Sequence, residues 1–384
     1  MAASRMRLLF LISELGQGGA QQQARLLLQA LPRLGVETRL AYFSGPSDEL
    51  AGLSAAGVHV HLLPKPRRGI WPMQAIFHIL ALARRHRIQI VQSFLTNFDS
   101  TAPFLRILMP GLRVVTSRRN MDESLSPRHL RLIRLAGPLA SAVVGNSNAV
   151  AASVRRLEGD LGSRLRVIPN AMELPAPITP AERDAARRGY GFDDATFVIA
   201  YPAHFRHAKG HVYLPEIARR LRGIEPRARF LLAGATVENS DYRANYAIFQ
   251  AAVAAHDLGA CFRYVGRLRN TRPVLAAADV VLNVSDCEGM SNTVMEAMAH
   301  ALPVVATSVG GAPELLQDGR EGWLIEAGDI SAAADRLARL AADPEARHRM
   351  GASGAARIAR DFSVARMSSA YVDLYEELIG SKGQ

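Results

Sequence analysis

The chain has 384 residues, of which 49% are hydrophobic and 21% are charged, and its formal net charge is +11. This length exceeds an ordinary single domain and fits two, and the composition is that of a globular protein. No apolar run approaches the ~20 residues that a membrane-spanning helix needs, and Leu8–Ile12 is too short for a signal-peptide core. Two cysteines provide no disulfide framework, which indicates a reducing, cytoplasmic setting.

The excess positive charge lies in the first half of the chain. Residues 1–172 contain 22 Lys and Arg against 9 Asp and Glu, whereas the remainder contains 24 against 26. Such asymmetry predicts an anionic surface facing the first half, either lipid headgroups or nucleic acid. Codon bias would explain why most basic residues are arginine, but not why the excess positive charge is confined to the first half of the chain. Aromatic residues total only 6%, and no nucleic-acid-binding module is evident, which disfavours nucleic acid.

Short apolar runs alternate with helical patterns, which is typical of parallel α/β units. In the first half, strands are predicted near Leu8–Ile12, Thr38–Tyr42, His59–Leu63, Ile88–Ser93, Val114–Thr116, Ala142–Gly145 and Arg166–Ile168. In the second half, they are predicted near Phe197–Tyr201, Arg229–Ala233, Phe262–Val265, Val280–Asn283, Val304–Ala306 and Trp323–Ile325.

Between the two halves, the prolines of Met172–Pro180 resist both helix and central strand, so this segment is predicted to be a linker. The fold class is therefore α/β, with two Rossmann-like, doubly wound parallel-sheet domains at residues 1–172 and 173–362. A helical segment over residues 363–384 follows. Because ligands of such sheets bind at the carboxyl ends of the strands, we expect them in an interdomain cleft.

A glycine-rich turn, Glu14–Gln21, joins the first predicted strand to a helical pattern. Gly18 and Gly19 would let the backbone approach a phosphate or a sugar closely. A nicotinamide-binding fingerprint is the alternative, but Gln21 occupies its third glycine position and no acidic residue ends the second strand, Leu40–Phe43. Purely structural glycines are a further alternative.

Two cations follow the first strand of the second half, where a helix is predicted to begin. Arg206 and Lys209 could clamp a diphosphate and neutralise the charge that grows as a nucleoside diphosphate leaves. A solvated cation pair is the simpler alternative. His204, His207 and His211 could instead form a metal site, although no cysteine or carboxylate lies nearby in the sequence.

The segment from Asp286 to Ala299 is the most informative in the chain. Glu288 is predicted on the loop after a buried strand, and Glu296 about one turn into the next helix, with the polar turn Ser291–Thr293 between them. The N–H groups of that first turn form an anion site beside two acceptors suited to sugar hydroxyls. This combination predicts a nucleotide-sugar pocket, and two solvated helix-end glutamates are the alternative.

No Asp-x-Asp sequence occurs in the chain. Such a pair of acidic ligands commonly holds the divalent ion in glycosyl transfer that depends on a metal-bound diphosphate. The sequence therefore predicts that cations and helix N-termini replace a metal.

With these segments, the chain resembles the retaining glycosyltransferases of family 4, the group 1 glycosyltransferases, which have the GT-B fold. The segments that carry the resemblance are Gly18–Gln21, Val144–Ser147, Val167–Ala171, Phe205–Gly210, Glu288–Ala299 and Gly310–Glu314. The resemblance implies an acceptor-binding first domain, a second domain that binds a nucleotide sugar, and a last helix that crosses back to the first domain.

The resemblance also implies roles for individual residues. Lys209, Arg206 and Glu288 would be catalytic. The residues that bind the donor would be Gly18, Gly19, Arg206, Lys209, Arg267, Leu268, Glu288, Gly289, Met290, Ser291, Asn292, Thr293 and Glu296.

The chain departs from the family's pattern at two places. Many relatives place a histidine near the donor sugar where this chain has Arg118 and Arg119, so that contact would either pass to Arg119 or be lost. Together with Asn97, these two arginines are candidates for the acceptor side. Relatives also often carry an arginine where His204 stands, so the resemblance supports the phosphate contact of Arg206 less directly than that of Lys209.

The expected function is transfer of a sugar, with retention and without a metal or other cofactor, from a nucleotide sugar, foremost a UDP-sugar. The expected acceptor is lipid-linked or a polysaccharide, in cell-envelope, exopolysaccharide or lipopolysaccharide biosynthesis. The basic first domain predicts a peripheral position on the cytoplasmic face of the inner membrane. The alternatives are a nucleotide-sugar epimerase of the same fold, a donor-binding protein without catalysis, and a basic nucleic-acid-binding protein.

Overall fold

The computed structural model of the chain describes residues 6–16, 18–64, 71–121, 125–237 and 239–380, with backbone only at 71–74 and 96–97. The chain divides into two compact units. The first unit runs to Ala171 and resumes at Val364, and the second unit is Met172–Ser363. The last residues of the predicted C-terminal segment, 381–384, lie outside the described ranges.

The first unit is built on a seven-stranded parallel sheet with the strand order β3-β2-β1-β4-β5-β6-β7. Its strands are β1 (Arg7–Ile12), β2 (Glu37–Tyr42), β3 (His59–Leu62), β4 (Ile90–Phe94), β5 (Arg113–Arg118), β6 (Ala142–Gly145) and β7 (Leu165–Val167). The strand order reverses between β1 and β4, which are hydrogen-bonded neighbours.

Helices cover both faces of this sheet. They are α1 (Gly19–Ala30), α2 (Ser47–Ala55), α3 (Trp71–Arg85), α4 (Thr96–Asp99), α5 (Leu105–Leu108), α6 (Pro127–Ala136) and α7 (Asn148–Glu158). Short 3-10 helices occur at Leu31–Leu34, Ala102–Phe104, Gly137–Leu139 and Gly162–Arg164. Because the central strands are covered on both sides, they are continuous apolar runs, and Leu8–Ile12 is fully buried.

The second unit repeats this plan with a six-stranded parallel sheet of order β10-β9-β8-β11-β12-β13. Its strands are β8 (Phe197–Pro202), β9 (Ala228–Ala233), β10 (Phe262–Tyr264), β11 (Val280–Asn283), β12 (Val304–Thr307) and β13 (Gly322–Ile325). The order reverses between β8 and β11, which pair directly.

The helices of the second unit flank the sheet on both sides. They are α8 (Pro180–Tyr190), α9 (Leu214–Ile224), α10 (Ser240–Ala255), α11 (Arg272–Ala277), α12 (Asn292–Ala299), α13 (Ala312–Leu315), α14 (Ile330–Ala342) and α15 (Pro344–Asp361). Short 3-10 helices occur at His207–Lys209, His211–Tyr213 and Gly259–Cys261. One apolar core lies on each face of the sheet.

The last helix, α16 (Val364–Gly380), belongs to the first unit. Its buried side chains, including Tyr371 and Tyr375, join the apolar core formed with β1 and α1. Among the helices that the structure describes, none combines the length and apolar character needed to cross a membrane.

Candidate functional site

The carboxyl ends of β8 and β11 carry the two segments of the second unit that the sequence singled out. The Lys209 loop (residues 203–213) follows β8, and the Glu288 loop (residues 284–291) follows β11. These strands are neighbours at the point where the strand order reverses. In open α/β sheets the crevice at such a reversal is the usual place for a ligand.

The two loops are packed directly against each other. Gly210 has a positive φ of 67°, and a Cβ there would lie 1.9 Å from the carbonyl oxygen of Val284, so no larger residue fits. The backbone N–H of Asp286 donates to the carbonyl of Ala208 at 2.9 Å. The hydroxyl of Tyr213 donates to Asp286 Oδ1 at 2.7 Å, and this hydrogen bond is the main cause that raises the pKa of Tyr213.

Lys209 and Glu288 form an ion pair through Lys209 Nζ and Glu288 Oε1. Both side chains are mostly buried, with 21% and 11% of their surfaces exposed, respectively. The hydroxyl of Ser285 donates to the same carboxylate oxygen at 2.9 Å. The structure thus joins two predicted site residues that are 79 positions apart in the chain.

Tyr201 holds the backbone of Lys209 in place. Its ring is fully buried in β8, and its hydroxyl donates to the carbonyl oxygen of Lys209. Burial raises the pKa of Tyr201 far above its usual value, so the hydroxyl keeps its proton. Tyr201 is not among the predicted site residues, although a tyrosine at the end of an otherwise apolar strand is a signal that could have indicated it.

The helix that carries Glu296 begins as predicted, directly after the Glu288 loop. Ser291 is the N-cap of α12 and accepts a hydrogen bond from the N–H of Val294, and Asn283 Nδ2 donates to the Ser291 hydroxyl at 3.1 Å. The Thr293 hydroxyl donates to the carbonyl of Pro202, at the end of β8, at 3.1 Å. The N-terminus of α12 is therefore fixed to both β8 and β11, the two strands between which the strand order reverses.

Glu296 lies just beyond the first turn of α12 and is half-buried. Its Oε2 accepts a hydrogen bond of 3.0 Å from the hydroxyl of Thr271, the residue before α11. Thr271 is not among the predicted site residues, because nothing in its local pattern relates it to a glutamate 25 positions further along.

A turn with two glycines, Gly310 and Gly311, packs against the backbone of the Glu288 loop. Gly310 has a φ of 54°, and a Cβ there would lie 1.7 Å from the carbonyl oxygen of Glu288. The N–H of Gly311 donates to the carbonyl of Gly289 at 2.8 Å. The Met290 side chain lies in the apolar core, and the predicted sugar contact of its backbone stays a prediction.

Other predicted donor residues of the second unit lie at its surface. Arg206 and Arg267 are exposed, and Leu268 is half-buried against the apolar core. Within the described residues, the Arg206 guanidinium makes no ion pair. This leaves it available for a phosphate, and its predicted role stays a prediction.

The three histidines of the Lys209 loop do not form a metal site in the part of the chain that the structure describes. His204 Nδ1 accepts a hydrogen bond from the N–H of Ala235 at 2.9 Å. The His211 ring is stacked on Phe205 at 3.9 Å between ring centroids. Desolvation lowers the pKa of His211 to about 3, so this ring is neutral.

The glycine turn of the first unit lies where the sequence placed it. β1 ends at Ile12, Gly18 is the N-cap of α1, and Gly19 is the first residue of that helix. Asn97 follows β4 in the short helix α4, and its side chain lies outside the description. Contacts of these residues with a ligand stay predictions.

The two arginines predicted for the acceptor side are buried and bonded within the first unit. Arg118, with 2% of its side chain exposed, makes two hydrogen bonds to Glu158, at 2.7 and 2.9 Å, and lies 3.6 Å from Asp99. This pairing fixes α7 to the end of β5. Direct contact of Arg118 or Arg119 with an acceptor stays a prediction, and the observed geometry favours a structural role for both arginines.

Arg119 contacts three separate parts of the first unit. Its guanidinium donates to Asn170 Oδ1 at 2.8 Å and to the Tyr371 hydroxyl at 2.6 Å, and it lies over the Phe94 ring at 4.3 Å. Nearby, the Gln23 amide makes hydrogen bonds with both the N–H and the carbonyl of Ala171. These contacts fasten α16 and the end of the first chain segment to the unit's core.

A cavity of about 240 Å³ lies elsewhere in the second unit, lined by Leu221, Arg222, Ala228, Phe230 and Cys261 among others. It adjoins the start of β9, and in a parallel sheet the starts and the ends of strands lie on opposite edges. The cavity is therefore remote from Lys209 and Glu288 and is not part of the candidate site.

Comparisons with known proteins agree with this organisation. A family model described as "Glycosyltransferase Family 4" matches residues 17–174, and one described as "Glycosyl transferases group 1" matches residues 196–343. The first match lies in the first unit except for its last three residues, the second match lies in the second unit, and together they cover well over half of the chain. The chain therefore belongs to the group 1, family 4 glycosyltransferases, as the sequence motifs predicted.

The chain is similar to two curated relatives over part of its length. EpsD of Bacillus subtilis is 32% identical over 203 residues, which are 52% of this chain and 50% of EpsD. The GDP-mannose-dependent monoacylated alpha-(1-6)-phosphatidylinositol monomannoside mannosyltransferase of Corynebacterium glutamicum is 29% identical over 55% of this chain and 56% of the relative. The chain thus spans about half the length of the curated relatives that it matches.

Among solved structures, the chain is similar to HepE of Anabaena in complex with UDP-glucose. The TM-score is 0.82 at 19% identity, and the match covers 97% of this chain and 100% of that chain. At this identity the similarity concerns the fold, and with the two parallel-sheet units it confirms the predicted GT-B class.

Proposed function

We propose that the chain is a retaining glycosyltransferase that transfers a sugar from a nucleotide-sugar donor without a metal ion. The observation that carries this proposal is the assembly of Lys209, Glu288 and the α12 N-terminus at the carboxyl ends of the neighbouring strands β8 and β11. Lys209 and Arg206 are the cations for the diphosphate, Glu288 accepts from sugar hydroxyls, and Glu296 accepts from the ribose diol.

The proposed chemistry is a front-face reaction, in which the departing phosphate helps to remove the proton of the acceptor hydroxyl. Lys209 and the N–H groups at the start of α12 stabilise the negative charge on the leaving diphosphate. Because these groups are already positioned in a partly buried site, each hydrogen-bond donor stabilises the transition state by about 3–4 kcal/mol.

A UDP-sugar is the first candidate for the donor, since the similar HepE structure is described with UDP-glucose. A GDP-sugar is the second candidate, since one relative is named as GDP-mannose-dependent. A thermal-shift series with UDP, GDP, UDP-glucose and GDP-mannose, in the presence of EDTA, tests both. The matching ligand at ~100 times its Kd stabilises by about 2.7 kcal/mol. No shift with any of the four, or a shift that EDTA abolishes, would contradict the proposal.

An epimerase of the same fold would bind the same donors. Incubation with the donor that binds, with and without an acceptor, separates the two activities. A transferase releases the nucleoside diphosphate much faster with the acceptor, whereas an epimerase interconverts the sugar without one.

For the acceptor, we propose a lipid-linked or polysaccharide substrate, reached from the cytoplasmic face of the inner membrane. The support is the charge of the first unit and the exposure of Arg128 and Arg131 on α6. Each cation close to an anionic lipid surface contributes about 1 kcal/mol at low salt.

Vesicle binding tests this proposal. We expect binding to vesicles with 30% phosphatidylserine that weakens with added salt and falls strongly in the double variant R128E/R131E. The matched control is R188E/R263E, which reverses two exposed arginines of the second unit. Equal binding by both double variants, or binding that salt does not alter, would overturn it.

A further inference from the structure

Ser285 is a fully buried polar residue of the Glu288 loop that has no role yet in the proposed chemistry. Its exposed fraction is 0%. Its carbonyl accepts a hydrogen bond of 2.6 Å from the hydroxyl of Thr307, the last residue of β12. The N–H of the same peptide group, which belongs to Asp286, donates to the carbonyl of Ala208 at 2.9 Å. The backbone at Ser285 is therefore held between β12 and the Lys209 loop.

The Ser285 hydroxyl and Lys209 share one oxygen of the Glu288 carboxylate. The hydroxyl donates to Glu288 Oε1 at 2.9 Å, and Lys209 Nζ forms its ion pair with the same atom. A carboxylate oxygen has about two lone-pair positions, so these two donors occupy Oε1. In the part of the chain that the structure describes, Glu288 Oε2 makes neither a hydrogen bond nor an ion pair. The contacts thus fix one oxygen and leave the other for a ligand.

The two donors differ in how firmly they hold the carboxylate. Lys209 has a long, flexible side chain, and in the proposed function its ammonium group also binds the diphosphate. The Ser285 hydroxyl is only one bond away from Cβ, and the backbone that carries it is hydrogen-bonded on both sides. Its bond to Glu288 has a charged acceptor and is therefore about twice as strong as one between neutral groups. When a phosphate attracts the lysine, Ser285 still holds Oε1.

We propose that Ser285 is a positioning residue that holds Glu288 Oε1, so that Oε2 accepts from a hydroxyl of the donor sugar. It keeps the carboxylate in this orientation when Lys209 engages the diphosphate. This inference rests on the proposed function, in which Glu288 accepts from sugar hydroxyls. Ser285 acts through Glu288 and does not touch the donor.

The test uses the difference between a nucleotide sugar and its nucleoside diphosphate, because only the former offers a sugar to Glu288. Calorimetric titration measures both affinities. The probes are UDP-glucose with UDP, or GDP-mannose with GDP, whichever nucleotide sugar gives the larger thermal shift with the wild type. The ratio of the two affinities within one variant is independent of its folded fraction.

The variants are S285A, S285C, E288A and the double variant S285A/E288A. Alanine removes the hydroxyl, and cysteine keeps a side chain of similar size with only a weak donor. The matched control is S153A, which removes another buried serine hydroxyl, one that donates to the carbonyl of Met121 at 2.8 Å in the first unit.

We expect S285A and S285C to lower the affinity ratio of nucleotide sugar to nucleoside diphosphate about three- to tenfold, the value of one hydrogen bond. E288A should lower the ratio at least as much, and S153A should leave it unchanged. In the E288A background, S285A should have no further effect, because it acts through that carboxylate.

If S285A keeps the ratio while E288A lowers it, the role of Ser285 is wrong and the sugar contact of Glu288 stands. An equal effect of S285A with and without Glu288 would also contradict the proposal, since Ser285 would then act independently of the carboxylate. If E288A keeps the ratio, or neither nucleotide sugar binds, the sugar contact of the proposed function fails as well.

Discussion

At the scale of single residues, Lys209 and Glu288 neutralise each other where a ligand is expected. An ion pair that is fully exposed contributes little to stability, about 0–1 kcal/mol. Partial burial raises the cost of leaving either charge alone, and a ligand with a phosphate for Lys209 and hydroxyls for Glu288 would satisfy both. The pair is thus placed for binding more than for folding.

Lys209→Ala should therefore reduce turnover far more than stability. We expect kcat to fall about 100- to 1000-fold, because one preorganised donor to the leaving group is lost. The melting temperature should change by only a few degrees. Steady-state kinetics and thermal unfolding measure the two effects.

The matched control for this prediction is Arg227→Ala, which removes another cation that pairs with a glutamate, Glu225, before β9. This variant should keep its kcat. Full activity of Lys209→Ala, or an equal loss in both variants, would remove Lys209 from the mechanism.

His211 makes the stability of the second unit depend on pH. Its pKa is lowered from 6.5 to about 3 by desolvation, so between these values the unfolded state binds more protons than the folded state. Stability should therefore fall as the pH falls through this window. At pH 5 the effect of this one group amounts to about 2 kcal/mol relative to pH 7.5.

His211→Phe should flatten this dependence, because the variant has no group to protonate. Urea unfolding of both proteins at pH 5 and 7.5 measures it. The comparison uses the change with pH, so any overpacking by the larger ring cancels. An identical pH dependence in both proteins would show that His211 is not the responsible group.

The limit of sequence reasoning is visible in these residues. Lys209, Glu288 and Glu296 could be found because each stands in a local pattern of strand, loop and helix. Thr271 could not, because its partner Glu296 lies on a separate helix and the contact depends on how the two segments pack. Arg119 illustrates the opposite case, since its position in the motif suggested a ligand contact and its folded neighbours bind its guanidinium.

At the scale of elements, the strands were the most predictable part of the fold. A buried parallel strand is a continuous apolar run, and β1, β8 and β11 were located from that property alone. The observed strands extend one or two residues beyond the predicted ones where a polar residue or a proline continues the pairing between strands, as at Pro202 and Arg118. The tertiary contacts of α16 were implied by the family resemblance and not by its own pattern.

The contact of α16 with Arg119 should contribute measurably to folding. Tyr371→Phe removes the hydroxyl that accepts from the buried guanidinium, which then lacks one partner. We expect a loss of about 1–3 kcal/mol in the free energy of unfolding, measured with urea.

A double-mutant cycle sharpens this prediction. Arg119→Met removes the cation and keeps an apolar stem, and in that background Tyr371→Phe should have a much smaller effect. Equal effects of Tyr371→Phe in both backgrounds would mean that the two side chains do not interact energetically.

At the scale of the whole molecule, the residues that the sequence predicts to bind the donor are distributed over two units of the same architecture. Gly18 and Gly19 belong to the first unit, and the Lys209 and Glu288 loops belong to the second. Both sets lie at the carboxyl ends of strands, as parallel sheets require of a ligand site. The expected cleft between the domains stays a prediction. The donor, the acceptor and the linkage depend on shapes that sequence patterns do not specify.

The central claim is that the Lys209 and Glu288 loops and α12 bind a nucleotide sugar without a divalent ion. Amide hydrogen exchange with the nucleotide sugar that gives the largest thermal shift, in EDTA, tests it most directly. We predict that slowed exchange in the second unit concentrates at residues 203–213 and 284–299, and that Lys209→Ala weakens this protection. Protection in the second unit that spares both segments, or that appears only when a divalent ion is added, would contradict the account.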